Sequence, residues 1–268
     1  MSIPVLRLAW RFLQPLGEPR QVLAGLAGYR WFLGDLWHYR TLPGAEPLAL
    51  ADLRPMLHER TAHSTFDAHY VYLNSWAMHQ IVAARPPLHV DIGSQIAFVS
   101  LLAAVVPVVF LDYRPLVADL PGLSALGGDI LRLPFRDHSL SSLSCLHVAE
   151  HIGLGRYGDP LNPAGTRQAA AELARVLAPG GRLYFGLPVG QPRTEFNAHR
   201  IHDPATVLAF FPGLTLTEFA VVRDDGRFQR GVDPASARGD RYACGMYAFQ
   251  RPPTRRRRTG STPSERNE

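Results

Sequence analysis

The sequence predicts an α/β protein with a mostly parallel seven-stranded sheet, one antiparallel strand and additional N-terminal helices. Three observations carry this. Residues 88–114, LHVDIGSQIAFVSLLAAVVPVVFLDYR, read as strand, turn, helix and strand, the opening half of a nucleotide-binding unit. Downstream, short apolar runs alternate with helical ones, which indicates strands laid parallel through crossover connections. The last two apolar runs are joined by a polar, glycine-bearing segment, which indicates a closing hairpin.

Taken in order, Ile3 to Leu16 carries apolar residues at helical spacing, with Arg7 and Arg11 elsewhere on the wheel. A second helical run, Gln21 to Tyr39, holds Trp31, Phe32, Leu36 and Trp37. These helices are expected to pack on the main domain or cover its mouth, with peripheral membrane contact as the lesser alternative. Leu42 to Pro55 is a proline-bearing linker, and Phe66 to Ala84 is a helix that Pro86 and Pro87 end. The expected division is a helical segment at 1–60, an α/β domain at 61–252 and a disordered basic tail at 253–268.

In the α/β domain, Leu88 to Ile92 is the first strand and Gly93 turns the chain sharply after it. The following helix then directs its free N–H groups and positive dipole end into the crevice. The uncharged stretch Ile96 to Leu111 is too short for a bilayer, which needs roughly 20 apolar residues, and Pro107 interrupts it. Val108 to Leu111 forms the second strand. At its end, Asp112 stands where a carboxylate can accept from both hydroxyls of a ribose. Pro115 and Pro121 keep the next crossover short. Strands follow at Ala125 to Ile130, Ser141 to Val148 and Arg182 to Leu187, the last after an amphipathic helix, Thr166 to Leu177. A helix at Pro204 to Phe211 and strands at Leu214 to Arg223 and Tyr242 to Gln250 complete the count.

Composition narrows the function classes. The chain has 268 residues and net charge +5, and every one of its 28 basic residues is arginine. The final fifteen residues hold five arginines and two glutamates, so the body is close to neutral and no nucleic-acid face is expected on the folded part. The two cysteines, Cys145 and Cys244, sit in apolar surroundings and read as reduced and structural. Arginines break the N-terminal apolar stretch, so no cleaved signal is expected and the cytoplasm is the default compartment.

The stretches VDIGS at 90–94, LDYRP at 111–115, GDILRLPF at 128–135, SCLHVAEHIG at 144–153 and ELARVLAPGGRLYFGLPV at 172–189 together resemble a class I S-adenosylmethionine-dependent methyltransferase. More narrowly, AEHIGLGRYGDPLNPAG and FNAHRIH are similar to a group of bacterial proteins of unknown function that share this core. The resemblance implies the Rossmann-like methyltransferase fold and S-adenosyl-L-methionine as cofactor. It matches Asp91 and Gly93 to the cofactor loop, Asp112 to the ribose acid, and Asp129 with the Ile130 amide to the adenine contacts. His147, at the end of the fourth strand, is also assigned to the cofactor side. The usual loop has glycines two and four positions after the first, where this chain has Gln95 and Ala97. Gln95 is therefore expected to crowd the methionine end of the cofactor.

Methyl transfer needs an aligned acceptor and, for a hydroxyl, a base to take its proton. Candidate catalytic groups beyond strands four and five are Glu150, His151 and His199. Arg156, Tyr157 and Asn197 are candidate substrate contacts, suited to a small polar or glycan-like acceptor. HVAEH at 147–151 also matches the zinc-peptidase pattern H-x-x-E-H, whose histidines must share a helical face. Here His147 ends a strand and Gly153 and Gly155 follow closely, so no metal is expected. The expected reaction is methyl transfer to oxygen or nitrogen. The alternative is a methyltransferase-like binding or scaffold protein without catalysis.

Overall fold

A computed structural model describes residues 19–253, so the expected helix at Ile3 to Leu16 and the tail from Thr254 onward lie outside the described residues. The chain divides into two compact units, Met1–Phe66 and Asp67–Glu268. In the first, helix α1 (Pro19–Thr41) precedes a short 3-10 turn at Leu50–Asp52. Arg60 pairs with Asp35 at 3.1 Å and sits over the Trp31 ring at 5.1 Å. No described helix is long and apolar enough to cross a membrane.

The second unit begins with helix α2 (Ala68–Ala84). Its cap, Asp67, accepts from the Tyr70 amide at 3.2 Å, and Arg85 ends it in the left-handed region just before the two prolines. Then come β1 (His89–Ile92), α3 (Ile96–Ala103), β2 (Val108–Asp112), β3 (Leu123–Gly127), β4 (Leu140–Leu146), α4 (Gly165–Val176) and β5 (Leu177–Val189). No helix joins β2 to β3, as the prolines there require. After β5 a small hairpin, β6 (Arg193–Glu195) and β7 (His199–Ile201), leads to α5 (Pro204–Ala209), β8 (Thr215–Val222), β9 (Phe228–Arg230) and β10 (Ala243–Gln250).

The main sheet has eight strands in the order β3-β2-β1-β4-β5-β10-β8-β9. β1 to β5 run parallel, β10 is antiparallel to both β5 and β8, and β9 is antiparallel to β8. The expected count of seven is corrected by β9, which forms inside the segment read as a plain hairpin connection. Glu218 on β8 anchors that edge by accepting from Trp76 Nε1 on α2 at 3.2 Å and from Arg230 Nε on β9 at 2.8 Å.

Both faces of the sheet are covered, which is why β1 is buried at every residue. Neighbouring side chains divide between the two layers. Tyr184 and Met246 join Trp76, Phe98 and Leu102 under α2 and α3, while Phe185 and Tyr247 join Leu173, Val207 and Phe211 under α4 and α5. Chain order reverses between β1 and β4, and a crevice opens there at the carboxyl ends of the strands.

Candidate active site

The crevice is a cleft of about 890 Å³ bordered by Gly93, Asp112, Asp129, Ile130, His147 and His151. Gly93 is required by its backbone, with φ at +66°. A Cβ there would also stand 3.1 Å from Val148 Cγ1 and 3.3 Å from Asp112 Oδ2. The small residue thus lets the β1 loop lie directly against the two walls of the cleft.

Both acids at the strand ends spend one oxygen on their own loop. Asp112 Oδ1 accepts from the Arg114 amide at 2.7 Å, and Asp129 Oδ1 from the Leu131 amide at 2.8 Å. This local bonding fixes each carboxylate at the border of the cleft. Asp129 lies just beyond β3, which ends at Gly127, three residues before the end expected at Ile130.

Two residues of the loop stand back from the cleft. Gln95 does not border the cleft; it is exposed, and its Oε1 accepts from Asn74 Nδ2 on α2 at 2.8 Å. Asp91 does not border the cleft either, because it is fully buried beneath the loop. Its carboxylate accepts from Ser94 N at 3.0 Å and Ser94 Oγ at 2.7 Å, and also from Ser144 Oγ. His89 extends this network to Ser142 and Ser144. Burial lifts the Asp91 carboxyl from 3.8 to about 6, against the hydrogen bonds from Ser144 and Ser94.

A second cleft of about 1030 Å³ meets the first along His147 and His151, and it is bordered by Glu150, Arg156, Asn197 and His199 among others. Its walls come from the start of α2, the turn after β4 and the β6–β7 hairpin. Glu150 and His151 sit on a 3-10 turn, Ala149–His151, immediately after β4. Glu150 Oε1 is 2.8 Å from His147 Nδ1 and 3.7 Å from His151 Nε2. Its other oxygen, Oε2, is buried and makes no hydrogen bond. Burial pushes the Glu150 carboxyl up, but the His147 hydrogen bond and charge outweigh it and hold the group below its ordinary value. His147 is the converse case. Burial opposes its charge, yet Cys244 and then Glu150 raise it well above the ordinary imidazole range.

His151 Nδ1 donates to the Ala198 carbonyl at 2.6 Å, which leaves Nε2 as the proton-accepting nitrogen. Arg156 Nη1 donates to the same carbonyl at 3.1 Å, so the glycine-rich loop and the hairpin are fastened together at one oxygen. His199 Nε2 lies 3.4 Å from Glu195 Oε2 without hydrogen-bond geometry, and burial lowers the ring's pKa.

The sequence candidates therefore divide between the two clefts. Asn197 and Arg156 border the second, whereas Tyr157 borders the first, where Arg114 lies over its ring at 4.4 Å. Sequence reasoning missed His69, Tyr70 and Tyr242. His69 stacks on Tyr242 with centroids 4.9 Å apart, Tyr242 stacks on His199 at 5.0 Å, and Tyr70 approaches His147 at 5.2 Å. Burial pushes the Tyr242 hydroxyl up to about 12, with Glu150 adding to it, and pushes His69 down to about 4, with His147 adding to it. The Asp67 cap followed by His69 and Tyr70 was the only local signal that side chains from α2 would stand at a helix mouth.

A family model described as Caenorhabditis protein of unknown function, DUF268, matches residues 137–225. That span holds the β4 turn, the glycine-rich loop and the hairpin, but not Gly93, Asp112 or Asp129. No curated protein matches the chain in sequence. Among solved structures, the [4+2]-cyclase SpnF is 12% identical with a TM-score of 0.51, the match covering 73% of this chain and 85% of SpnF. The N-methyltransferase NodS from Bradyrhizobium japonicum WM9, solved with S-adenosyl-L-homocysteine, is 17% identical with a TM-score of 0.48, covering 74% of this chain and 92% of its own. The chain shares with SpnF a fold of the Rossmann-like α/β kind.

Proposed function

We propose that the protein transfers a methyl group from S-adenosyl-L-methionine to an oxygen or nitrogen of a small polar acceptor. The observation that carries the reading is the pair of adjoining clefts. One has two strand-end acids beside a glycine turn, and the other holds a buried carboxylate and several histidines. When bound, the cofactor supplies a methyl carbon attached to a positively charged sulfur.

The residues present fit that group. Asp112 suits the ribose hydroxyls, and Asp129 with the Ile130 amide suits the adenine edge. Asp91 works indirectly, holding Ser94 and through it the loop. Gln95 bonds to Asn74, and only Ile92 and Gly93 of this turn border the cleft, which supports cofactor binding despite the missing glycines.

At the junction of the clefts, His151 Nε2 takes the proton from the acceptor. Glu150, 3.7 Å away, stabilises the imidazolium that results. Glu150 Oε2 is positioned to accept a further hydrogen bond from an acceptor hydroxyl or amine, a role that would satisfy its unpartnered buried oxygen. Arg156 and Asn197 border the acceptor cleft and favour a polar, sugar-like molecule over an apolar one.

The fold alone does not choose the reaction, and the name of the SpnF cyclase is itself a reminder of that. The test is incubation of the full chain with methyl-labelled S-adenosylmethionine and the low-mass fraction of a bacterial extract. A labelled small molecule that the His151→Ala protein does not produce supports transfer. Cofactor binding with no labelled product would favour a binding or scaffold role.

A further inference from the structure

His69, His147 and Cys244 come from the first turn of α2, the end of β4 and the start of β10, yet they converge. Each offers one nitrogen or sulfur atom, and these atoms all lie within 4.8 Å of one another. His147 and Cys244 are buried and His69 is half-buried. His147 Nε2 is 3.3 Å from Cys244 Sγ. Around a tetrahedral zinc, bonds of about 2.0–2.3 Å put ligand atoms about 3.3–3.8 Å from one another. That pair is therefore already at ligand spacing.

The other side of His147 is prepared as well. Its Nδ1 is 2.8 Å from Glu150 Oε1, so Nδ1–H donates to a carboxylate and Nε2 faces the sulfur. A carboxylate behind an imidazole fixes its tautomer and raises its basicity, as it does for metal-bound histidines. The H-x-x-E-H pattern thus meets a metal-ligand geometry by a different route from the peptidase one. His147 points to Cys244, while His151 is tied to the Ala198 carbonyl. The second cysteine, Cys145, lies in the apolar layer under α4 and takes no part.

We propose that His69, His147 and Cys244 bind one zinc ion or a similar thiophilic divalent metal, with Glu150 bracing His147. Three protein ligands leave a fourth position, and His69 and His147 border the second cleft, so that position opens onto it. A hydroxyl or thiol bound there would be acidified. Its identification with the methyl acceptor rests on the methyl-transfer reading; the metal site itself does not.

The full chain, stripped with a chelator and titrated with cobalt(II), should take up one ion per chain. It should also develop a thiolate-to-cobalt charge-transfer band, and zinc should displace the cobalt and raise the melting temperature. Cys244→Ser should remove the band. His69→Asn, at a half-buried position on the first helical turn, should abolish stoichiometric uptake without unfolding the protein, and Glu150→Gln should weaken binding about 10–100-fold. Folded wild-type protein that takes up no cobalt and does not respond to zinc overturns the site. A band that persists in both Cys244→Ser and His69→Asn overturns it too, because the ion then sits elsewhere. S-adenosylhomocysteine binding measured on the same samples shows separately whether the methyl-transfer reading stands.

Discussion

His147 Nδ1 lies 2.8 Å from Glu150 Oε1, and the two side chains are only 5% and 1% exposed. Burying a charged pair this completely is costly unless each partner is satisfied, and one Glu150 oxygen is not. The pair therefore stands out as a site for a ligand to complete, at the place where the two clefts meet.

His151 is the group proposed to take a proton, since it borders both clefts and its Nδ1 is committed to a carbonyl. His151→Ala should lower turnover by about 10²–10⁴-fold. S-adenosylhomocysteine affinity should change little. Steady-state kinetics beside calorimetry would check this, and undiminished turnover would remove His151 from the mechanism.

Arg156 borders the second cleft, where the proposed acceptor would sit, and donates to the Ala198 carbonyl. Removing a charged donor of this kind costs about 1.5–3 kcal/mol, which corresponds to roughly 10–100-fold in affinity. Arg156→Ala should raise the acceptor KM by that order and leave kcat nearly unchanged. A fall in kcat at constant KM would instead assign Arg156 to the transition state.

Gly93 has φ at +66°, and a Cβ there would press on Val148 Cγ1 at 3.1 Å. Left-handed backbone costs an L-residue about 1–2 kcal/mol. Gly93→Ala should lower unfolding free energy by that amount in urea and weaken S-adenosylhomocysteine binding as well. Unaltered stability and affinity would mean that the turn does not depend on glycine.

Asp91 gives a pH-dependent prediction. Its carboxyl titrates near 3.8 when unfolded and near 6 when folded, so between those values the folded protein holds more protons. Its contribution is complete below about 4 and lost as pH rises through about 6. Two pKa units correspond to about 3 kcal/mol. Asp91→Asn lacks this titration, so the stability of wild type relative to the variant should fall by about that much between pH 4 and pH 7. His89, held down to about 3 by burial, is present in both proteins and largely cancels. Parallel pH curves would contradict an Asp91 whose burial outweighs its hydrogen bonds.

What the sequence makes legible is local. The Gly93 turn, the acids at 112 and 129, and the alternation of strands and helices all follow from periodicity and from residues adjacent in the chain. The order of the sheet agrees with them. The direction of Gln95 was not legible, because it is set by Asn74, 21 residues earlier. Nor was β9, whose three residues are too few to show a period and which is held through Glu218. His69, Tyr242 and Cys244 reach the second cleft or its edge from both ends of the domain, and no local pattern records such a meeting.

The central claim is that the first cleft binds a sulfonium nucleoside through Asp112. Calorimetric titration of the full chain with S-adenosyl-L-methionine and S-adenosyl-L-homocysteine tests it most directly. The account predicts one site per chain, with Asp112→Ala weakening binding about 10–100-fold. Absence of binding to the folded wild-type chain, or equal binding by wild type and Asp112→Ala, would contradict it.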